Sequence, residues 1–481
     1  MAKGSAIRWA QLLVFSAAAA AAAWQCERAW GWTPASIALV AGLALAAYLF
    51  GFAMYDRAYP QPERRTAAHV LHTIQVDDFG TLWDVEAARS ALAEVDASWR
   101  QGNVFVVVFV HGWHHGAGPR DDNLRDFEHK LLRRLRENLD APGRRALREK
   151  LTGSPEVKLI GLYVGWRGRS LPGWLDYLTL WGRKAAAERV GDGDVAEFIE
   201  RLQRMYLRAN AARRDPAPGV ANPFMGLATL GHSLGAQVLL KAVARPLEFA
   251  LAERARLLAD VVRQPADTAA DLVRVPLDSL GDVNILLNPA TEAYQFARID
   301  DLYRQLRYPA QQTPQLLVLS ADDDVPRRLL FPLARWVTLP FRPPFRSRFQ
   351  GNLWGCALGE LLSQKTHDLG PAKPAAAPSL VDDDYVTDGG AKLRSFDFSG
   401  PTVLGRVQMT PRPGAPVAYS PVGVAVSHRG LIAGHNGIFG DDLLDFLCTW
   451  IGYVSGKRLM IHHALRAQAG GGTAAAADTG T

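Results

Sequence analysis

The sequence predicts an α/β protein whose mostly parallel central sheet is covered by helices on both faces. Continuous runs of β-branched and aromatic residues are typical of strands buried on both faces, and two such runs are "VFVVVFVHGW" (104–113) and "EVKLIGLYVGW" (156–166). Charged amphipathic segments follow them, "DDNLRDFEHKLLRRLRENL" and "DVAEFIERLQRMYLRANAAR". Strands that alternate with helices in this way predict a parallel sheet.

Further apolar runs continue the alternation, in "LATLGHSLGAQVLLKAV" (227–243), "DVNILLNPA" (282–290), "PQLLVLSADDD" (314–324) and "VGVAVSHRGLIAG" (422–434). Ligands of such sheets bind beyond the carboxyl ends of the strands. The residues that end each run are therefore the candidates for function: His111–Trp113, Trp166–Gly168, Ser233, Asn288–Pro289, Asp322–Asp324 and His435.

Composition limits the function classes. The chain has 481 residues and a mild net charge of +6, with basic and acidic residues interspersed, so nothing indicates a nucleic-acid partner. Its three cysteines, Cys26, Cys356 and Cys448, lie far apart and form neither a metal-ligand spacing nor a disulfide framework.

The first sixty residues predict a membrane anchor of two transmembrane helices, over about 9–24 and 33–55. Both stretches are uncharged, and the second has about the length that spans a bilayer. Basic residues precede the first and follow the second, which by the positive-inside tendency places both ends in the cytoplasm. A cleaved signal followed by one span is the alternative, and it would reverse the orientation and export the main domain.

Gly231-His232-Ser233-Leu234-Gly235 fits the pattern G-x-S-x-G, between an apolar strand and an apolar helix. A serine at a tight strand-to-helix turn is exposed as a nucleophile, and small neighbours avoid steric clash. The context therefore favours a catalytic Ser233 over an ordinary turn.

A serine hydroxyl needs a base to take its proton and an acid to orient that base. His435 follows the last predicted strand and is the expected base; His367, His428, His462 and His463 are less well placed. Three adjacent aspartates end "LLVLSADDDVP", and among them we expect Asp323 to be the acid. Asp322 and Asp324 remain alternatives within the same turn, and Glu292 is an alternative after the preceding strand.

The oxyanion of an acyl-transfer intermediate needs backbone donors. The expected donors are the N–H groups of Leu234, after the serine, and of Trp113, after the "FVVVFVH" strand. The "HGWHH" segment lacks H-x-x-x-H helical spacing, so neither a metal nor another cofactor is expected.

With these residues the chain resembles the α/β-hydrolase superfamily of serine esterases and lipases, through "FVHGW", "GHSLG", "LSADDDVP" and "GHNGIF" in that order. It is also similar to a little-characterised, mainly bacterial subgroup, through "VDDFGTLWD", "YVGWRG", "LWGRKAAAERVG" and "NPATEA". The resemblance covers roughly residues 70–455. It implies a nucleophile at Ser233, a base at His435 and an acid after the penultimate strand, but no particular substrate.

The expected hydrolase domain covers 61–458, with a cap insert at about 326–420 and a disordered tail at 464–481. About 110 residues separate the acidic turn from His435, far more than a strand-to-helix connection needs. A second excursion follows Trp166. We expect its aromatic residues, with Trp166, Trp174 and Trp181, to line an acyl pocket; the alternative is that they are core residues or rest on a membrane.

The sequence thus predicts a membrane-anchored serine hydrolase that cleaves carboxylic esters, with lipid-derived esters among the expected substrates, through a Ser-Asp-His triad. The expected location is the inner or plasma membrane, with the domain on the cytoplasmic side. The alternatives are an acyltransferase or thioesterase with the same triad, and a non-catalytic membrane scaffold that retains the fold. No oligomeric state is predicted.

Overall fold

The computed structural model describes residues 63–171, 179–214, 223–261, 280–309, 312–337, 347–372, 400–415, 419–428 and 430–477, with 176, 177, 277, 345 and scattered positions between 21 and 59. Most of the two predicted membrane spans, Trp174 and the last four residues lie outside this part of the chain. Within it, no helix is both long and apolar enough to cross a membrane.

The chain divides into two compact units, one of residues 1–57 with 170–179 and the other of residues 58–169 with 180–481. In the first, Asp176 accepts hydrogen bonds from the backbone N–H groups of Ser170 and Leu171, each at 2.9 Å. The second unit holds the sheet.

Among the described residues, eleven strands form one sheet in the order β1-β2-β4-β3-β5-β6-β7-β11-β8-β10-β9. Every neighbouring pair from β2 to β8 is parallel, so the predicted α/β class with a mostly parallel sheet is confirmed. The strands are β1 Arg64–Arg65, β2 Val70–Gln75, β3 Val104–Val110, β4 Lys158–Gly165, β5 Met225–His232, β6 Val283–Leu287, β7 Leu316–Ala321, β8 His367–Pro371, β9 Thr402–Leu404, β10 Val407–Pro411 and β11 Val422–Ser427.

The α-helices of this unit are α1 Val85–Gln101, α2 Asp122–Asp126, α3 Arg133–Leu139, α4 Pro142–Thr152, α5 Leu180–Asp192, α6 Asp194–Arg214, α7 Leu234–Val261, α8 Tyr294–Gln305, α9 Phe331–Val337, α10 Arg348–Gly355 and α11 Asp441–Ala477. Phe127–Leu132 joins α2 to α3 as a π-helix, and Pro326–Leu330 leads into α9 as another.

Helices cover both faces of the sheet, as predicted, because alternate residues of the strands point to opposite sides. On one face Val104, Val106 and Val108 pack with residues of α1 and α5–α8. On the other, Phe105, Val107 and Phe109 pack with residues of α2–α4 and α11. All seven residues of β3 are buried, which explains why its sequence is continuously apolar rather than alternating.

Two parts of the chain differ from the sequence analysis. Part of the expected cap insert extends the sheet instead: β8 pairs with β11, and β10 pairs with β8 and β9. Short polar and apolar stretches such as His367–Pro371 carry little strand signal and depend on an existing edge for their hydrogen bonds. The expected tail from 464 continues α11 through Ala477, because its alanines have the highest helix propensity.

Candidate active site

Ser233 lies in the tight connection between β5 and α7, with φ of 55°. Non-glycine residues rarely adopt this left-handed conformation. Its N–H donates to Leu287 O at 2.9 Å, while its carbonyl accepts from Ala290 N at 3.1 Å. A Cβ at Gly235 would lie 2.3 Å from His111 O, so only glycine fits there. The turn therefore has the form that the G-x-S-x-G pattern predicts.

Three side chains that are distant in sequence form a continuous chain of hydrogen bonds. His435 Nε2 lies 2.7 Å from Ser233 Oγ, and His435 Nδ1 lies 2.7 Å from Asp324 Oδ2. Ser233 is 3% exposed and Asp324 is fully buried. The imidazole can therefore take a proton from the hydroxyl while the carboxylate orients it.

The expectation that Asp323 contacts His435 is wrong, since Asp324 occupies that position. Asp323 Oδ1 instead accepts from the backbone N–H of Gly434 at 2.9 Å, and Asp322 Oδ2 lies 3.3 Å from His428 Nδ1. The strand β7 ends at Ala321, and the turn after it sends three successive carboxylates in different directions. Residue spacing alone could not distinguish them.

Glu292, the other acid considered, belongs to a different cluster. Its carboxylate lies 3.1 Å from Lys184 Nζ and 2.9 Å from an Arg335 nitrogen, and it is 1% exposed. The pairing with two cations makes it a buried structural carboxylate.

Arg327, in addition to His435, contacts the Asp324 carboxylate. Its backbone N–H donates to Asp324 Oδ1 at 2.9 Å, and its Nε lies 3.3 Å from Oδ2. The guanidinium also donates to Ser320 Oγ at 2.5 Å and to Glu360 Oε1 at 2.5 Å. Burial alone would raise the pKa of Asp324, but the hydrogen bond with His435 and the charges of His435 and Arg327 lower it below its usual value. The acid is therefore held ionised.

Asn288 ties the loop of His435 to the sheet. Its Nδ2 donates to Gly434 O at 3.1 Å and to His435 O at 2.9 Å, and its Oδ1 accepts from Ala321 N at 2.8 Å. Its φ of 44° is in the left-handed region that asparagine tolerates. The sequence identified Asn288 only as the end of a predicted strand and gave it no role. Its position at that strand end, before Pro289, was the one sequence feature that pointed to the site.

We predict that Asn288→Asp lowers kcat by about 100-fold, because loss of the Nδ2 donor releases the His435 loop and small displacements are costly. Asn284→Asp is a matched control, since Asn284 Nδ2 also donates to two carbonyls, Leu280 O and Gln315 O, at the opposite end of β6. Both variants should unfold more easily by about 1–3 kcal/mol. Equal kcat values for the two variants would contradict the role of Asn288; urea unfolding and steady-state kinetics provide the measurements.

The loop after β3 packs against the serine turn. A Cβ at Gly112 would lie 2.8 Å from Ser233 Cβ, so glycine permits this approach. Trp113 follows, half-buried against the core, and Leu234 is the first residue of α7. The first N–H groups of a helix have no intrahelical acceptor. Both expected oxyanion donors therefore belong to segments that adjoin Ser233.

His111 fixes this loop as a neutral imidazole. Its Nδ1 donates to Gly112 O at 2.9 Å, and its Nε2 accepts from Trp166 N at 3.0 Å. Burial lowers the pKa of His111 to about 4. Trp166 Nε1 donates to His111 O at 2.8 Å, and the two rings stack at 5.7 Å.

Of the expected pocket residues, Trp166 has a different role. Trp166 is 3% exposed and serves the His111 loop, because its indole lies beneath that loop rather than on a surface. Trp181 is 46% exposed, and its Nε1 donates to Ala334 O at 3.2 Å.

The low pKa of His111 predicts a loss of stability in acid. The pKa of His111 is about 4 in the folded protein, against about 6.5 for an unperturbed histidine, so the unfolded chain binds the proton first as pH falls. The stabilisation is complete above pH 6.5 and is lost toward pH 4. Between pH 7.5 and 4.5 wild type should lose about 2–3 kcal/mol more than His111→Gln, in urea unfolding followed by fluorescence. The exposed His129→Gln should follow wild type, and a His111→Gln curve parallel to wild type would refute the assignment.

Among the described residues, Glu63, His72 and Glu94 form a group whose atoms lie close enough to hold a metal ion. Glu94 already accepts hydrogen bonds from Arg65 and Lys158, at 2.6 and 2.8 Å, and these cations together with His72 bring its pKa to about 2 despite its burial. The two cations oppose a metal at this group.

Comparisons with protein-family models, with curated proteins and with solved structures return no match. The basis for a functional assignment is therefore the site itself. A strained serine, a base within 2.7 Å of its hydroxyl and a buried carboxylate behind that base constitute the groups that nucleophilic acyl transfer requires.

Proposed function

We propose that this protein is a serine hydrolase of the α/β-hydrolase type that cleaves carboxylic esters through an acyl-enzyme. The observation that carries the proposal is the Ser233–His435–Asp324 chain of hydrogen bonds on a strained strand-to-helix turn. The order of the three residues along the chain, serine, then acid, then histidine, also supports the proposal, because α/β-hydrolases have the same order.

In the acylation step, Ser233 Oγ attacks the ester carbonyl carbon while His435 Nε2 accepts the hydroxyl proton. The Asp324 carboxylate stabilises the imidazolium that forms. The N–H groups of Leu234 and Trp113 donate to the oxyanion of the tetrahedral intermediate. His435 then returns the proton to the departing alcohol, and the acyl group remains on Ser233.

In the deacylation step, water replaces the alcohol. His435 removes a proton from the water molecule as its oxygen attacks the acyl carbon, and the collapse of the second intermediate returns the proton to Ser233 Oγ. An acyl acceptor other than water would give acyl transfer by the same groups.

The uncharged stretches 9–24 and 33–55 support a membrane anchor, with the hydrolase domain on the cytoplasmic side. An enzyme held at a bilayer meets apolar esters at high local concentration. We therefore propose an apolar, lipid-derived ester as the substrate class.

A fluorophosphonate probe tests the proposal, because it phosphonylates an activated serine. Purified full-length wild type should be labelled, and Ser233→Ala should not. Ser90→Ala removes an exposed serine of α1 and should be labelled like wild type. Folded wild type that resists the probe and hydrolyses no model ester would instead favour the non-catalytic scaffold.

A further inference from the structure

The segment that follows Asp324 has an unusual charge. Residues 325–359 contain six arginines and no Asp, Glu or Lys, although the whole chain has 54 basic and 48 acidic residues. Two of the six, Arg327 and Arg335, form ion pairs with carboxylates, whereas Arg328 and Arg348 are exposed. The arginines are Arg327, Arg328, Arg335, Arg342, Arg346 and Arg348.

Large apolar side chains are exposed along the same segment. Val325 is 55% exposed, Leu329 is 65% exposed and Leu333 is 61% exposed. Their spacing of four residues places them on one face of the helical segment that ends in α9. Phe345 is 37% exposed and Phe349, on α10, is 58% exposed. Exposed apolar side chains that cluster in this way mark an interaction site.

The two parts of the segment adjoin each other. The Arg335 guanidinium lies 4.2 Å above the ring of Trp354, which is buried. The ring of Phe345 lies 5.4 Å from that of Trp354. The five apolar side chains, together with the exposed Arg328 and Arg348, are called the 325–349 surface below.

We propose that the 325–349 surface docks on an anionic lipid bilayer. Helices that lie in the membrane interface combine an apolar face with arginines, and their apolar side chains enter the boundary between headgroups and acyl chains. Arginine can extend from that depth to the headgroups, where anionic lipids supply the opposite charge. Protein interfaces are also enriched in phenylalanine and arginine, but the uncharged stretches 9–24 and 33–55 of the same chain favour a bilayer; a protein partner is a separate outcome of the test.

The position of this surface has a consequence for the site. Val325 directly follows Asp324, whose carboxylate contacts His435. A docked bilayer would lie beside the Ser233–His435 pair, so that an apolar ester could reach the serine without crossing water. This consequence rests on the proposed function, whereas the docking itself does not.

Depth-dependent quenching tests the docking. Full-length protein carrying Cys26→Ser, Cys356→Ser and Leu333→Cys is labelled with NBD and reconstituted in phosphatidylcholine vesicles, with or without phosphatidylglycerol. Cys448 stays unlabelled, because it is buried and burial raises its pKa to about 12. Phe249→Cys is the matched control, since Phe249 is 74% exposed on α7. Doxyl lipids should quench the label at 333 about threefold more than the label at 249, and only in anionic vesicles.

Arg328→Glu with Arg348→Glu should lower the docked fraction about tenfold or more. Equal quenching at 333 and 249 in anionic vesicles would overturn the proposal. The proposal would also be overturned if the label at 333 became shielded in the absence of lipid as the protein concentration rises. That result would indicate a protein partner. Ser233→Ala should dock like wild type, so failure of docking and failure of the hydrolase proposal give different results.

Discussion

Asp324→Asn is expected to lower kcat by about 10⁴-fold with little change in KM. The amide that replaces the carboxylate can present an N–H to His435 Nδ1, which favours the tautomer that protonates Nε2 and leaves no lone pair to accept the Ser233 proton. The substitution also removes the negative charge that stabilises the imidazolium. Steady-state hydrolysis of a model ester by the full-length protein gives both constants.

Asp323→Asn is the matched control for this prediction. The two residues are adjacent, but Asp323 accepts only a backbone N–H, from Gly434, among the contacts described. An amide oxygen can still accept that bond, so we expect a decrease of less than about tenfold. The assignment of the acid fails if Asp323→Asn is the more damaging of the two substitutions.

Arg327→Met is expected to destabilise the protein by about 3–5 kcal/mol, because it breaks a buried charge network and leaves carboxylates without their cation. Arg327 is 1% exposed. Its guanidinium reaches Ser320 Oγ, Leu358 O and Glu360 Oε1, at 2.5, 3.0 and 2.5 Å. The kcat value should fall as well, because the Arg327 guanidinium no longer helps to hold the Asp324 carboxylate in its orientation toward His435. Urea unfolding and ester hydrolysis measure the two effects.

The neighbouring Arg328 provides the control, because its side chain is exposed. Arg328→Met should change stability by no more than about 0.5 kcal/mol. Arg327→Lys should fall between wild type and Arg327→Met, since an ammonium group keeps the charge but cannot contact all the acceptors of a planar guanidinium. Similar stabilities for Arg327→Met and Arg328→Met would show that the network contributes little.

The sequence was sufficient where a local pattern has one physical solution. The run Val104–Val110 predicts a strand buried on both faces, and the two glycines around Ser233 predict a tight turn, because both properties depend on neighbouring residues. His435 could be chosen because it comes after the last predicted strand, whose carboxyl end had to lie at the candidate site. These features were predictable without knowledge of any distant contact.

The remaining features depend on contacts between distant segments. The choice among three adjacent aspartates depends on the exit direction of a turn, which residue spacing does not determine. Arg327 and Glu360 look like ordinary surface charges in the sequence, and only the contacts of the buried Arg327 with Asp324, Ser320 and Glu360 give them a role. Likewise, β8–β10 have weak strand patterns and exist as strands because β11 offers an edge.

The strands β7 and β11 are immediate parallel neighbours, with Ala321 opposite Ser427, although 110 residues lie between Asp324 and His435. The distance between acid and base is therefore set by the hydrogen-bond ladder of these two strands and not by the length of the polypeptide that joins them. Protein engineers can exchange the parts of the intervening region that lie outside Arg327, Glu360 and the strands β8–β10: a different excursion there would change the sequence between the two strands while leaving the geometry of proton transfer unchanged.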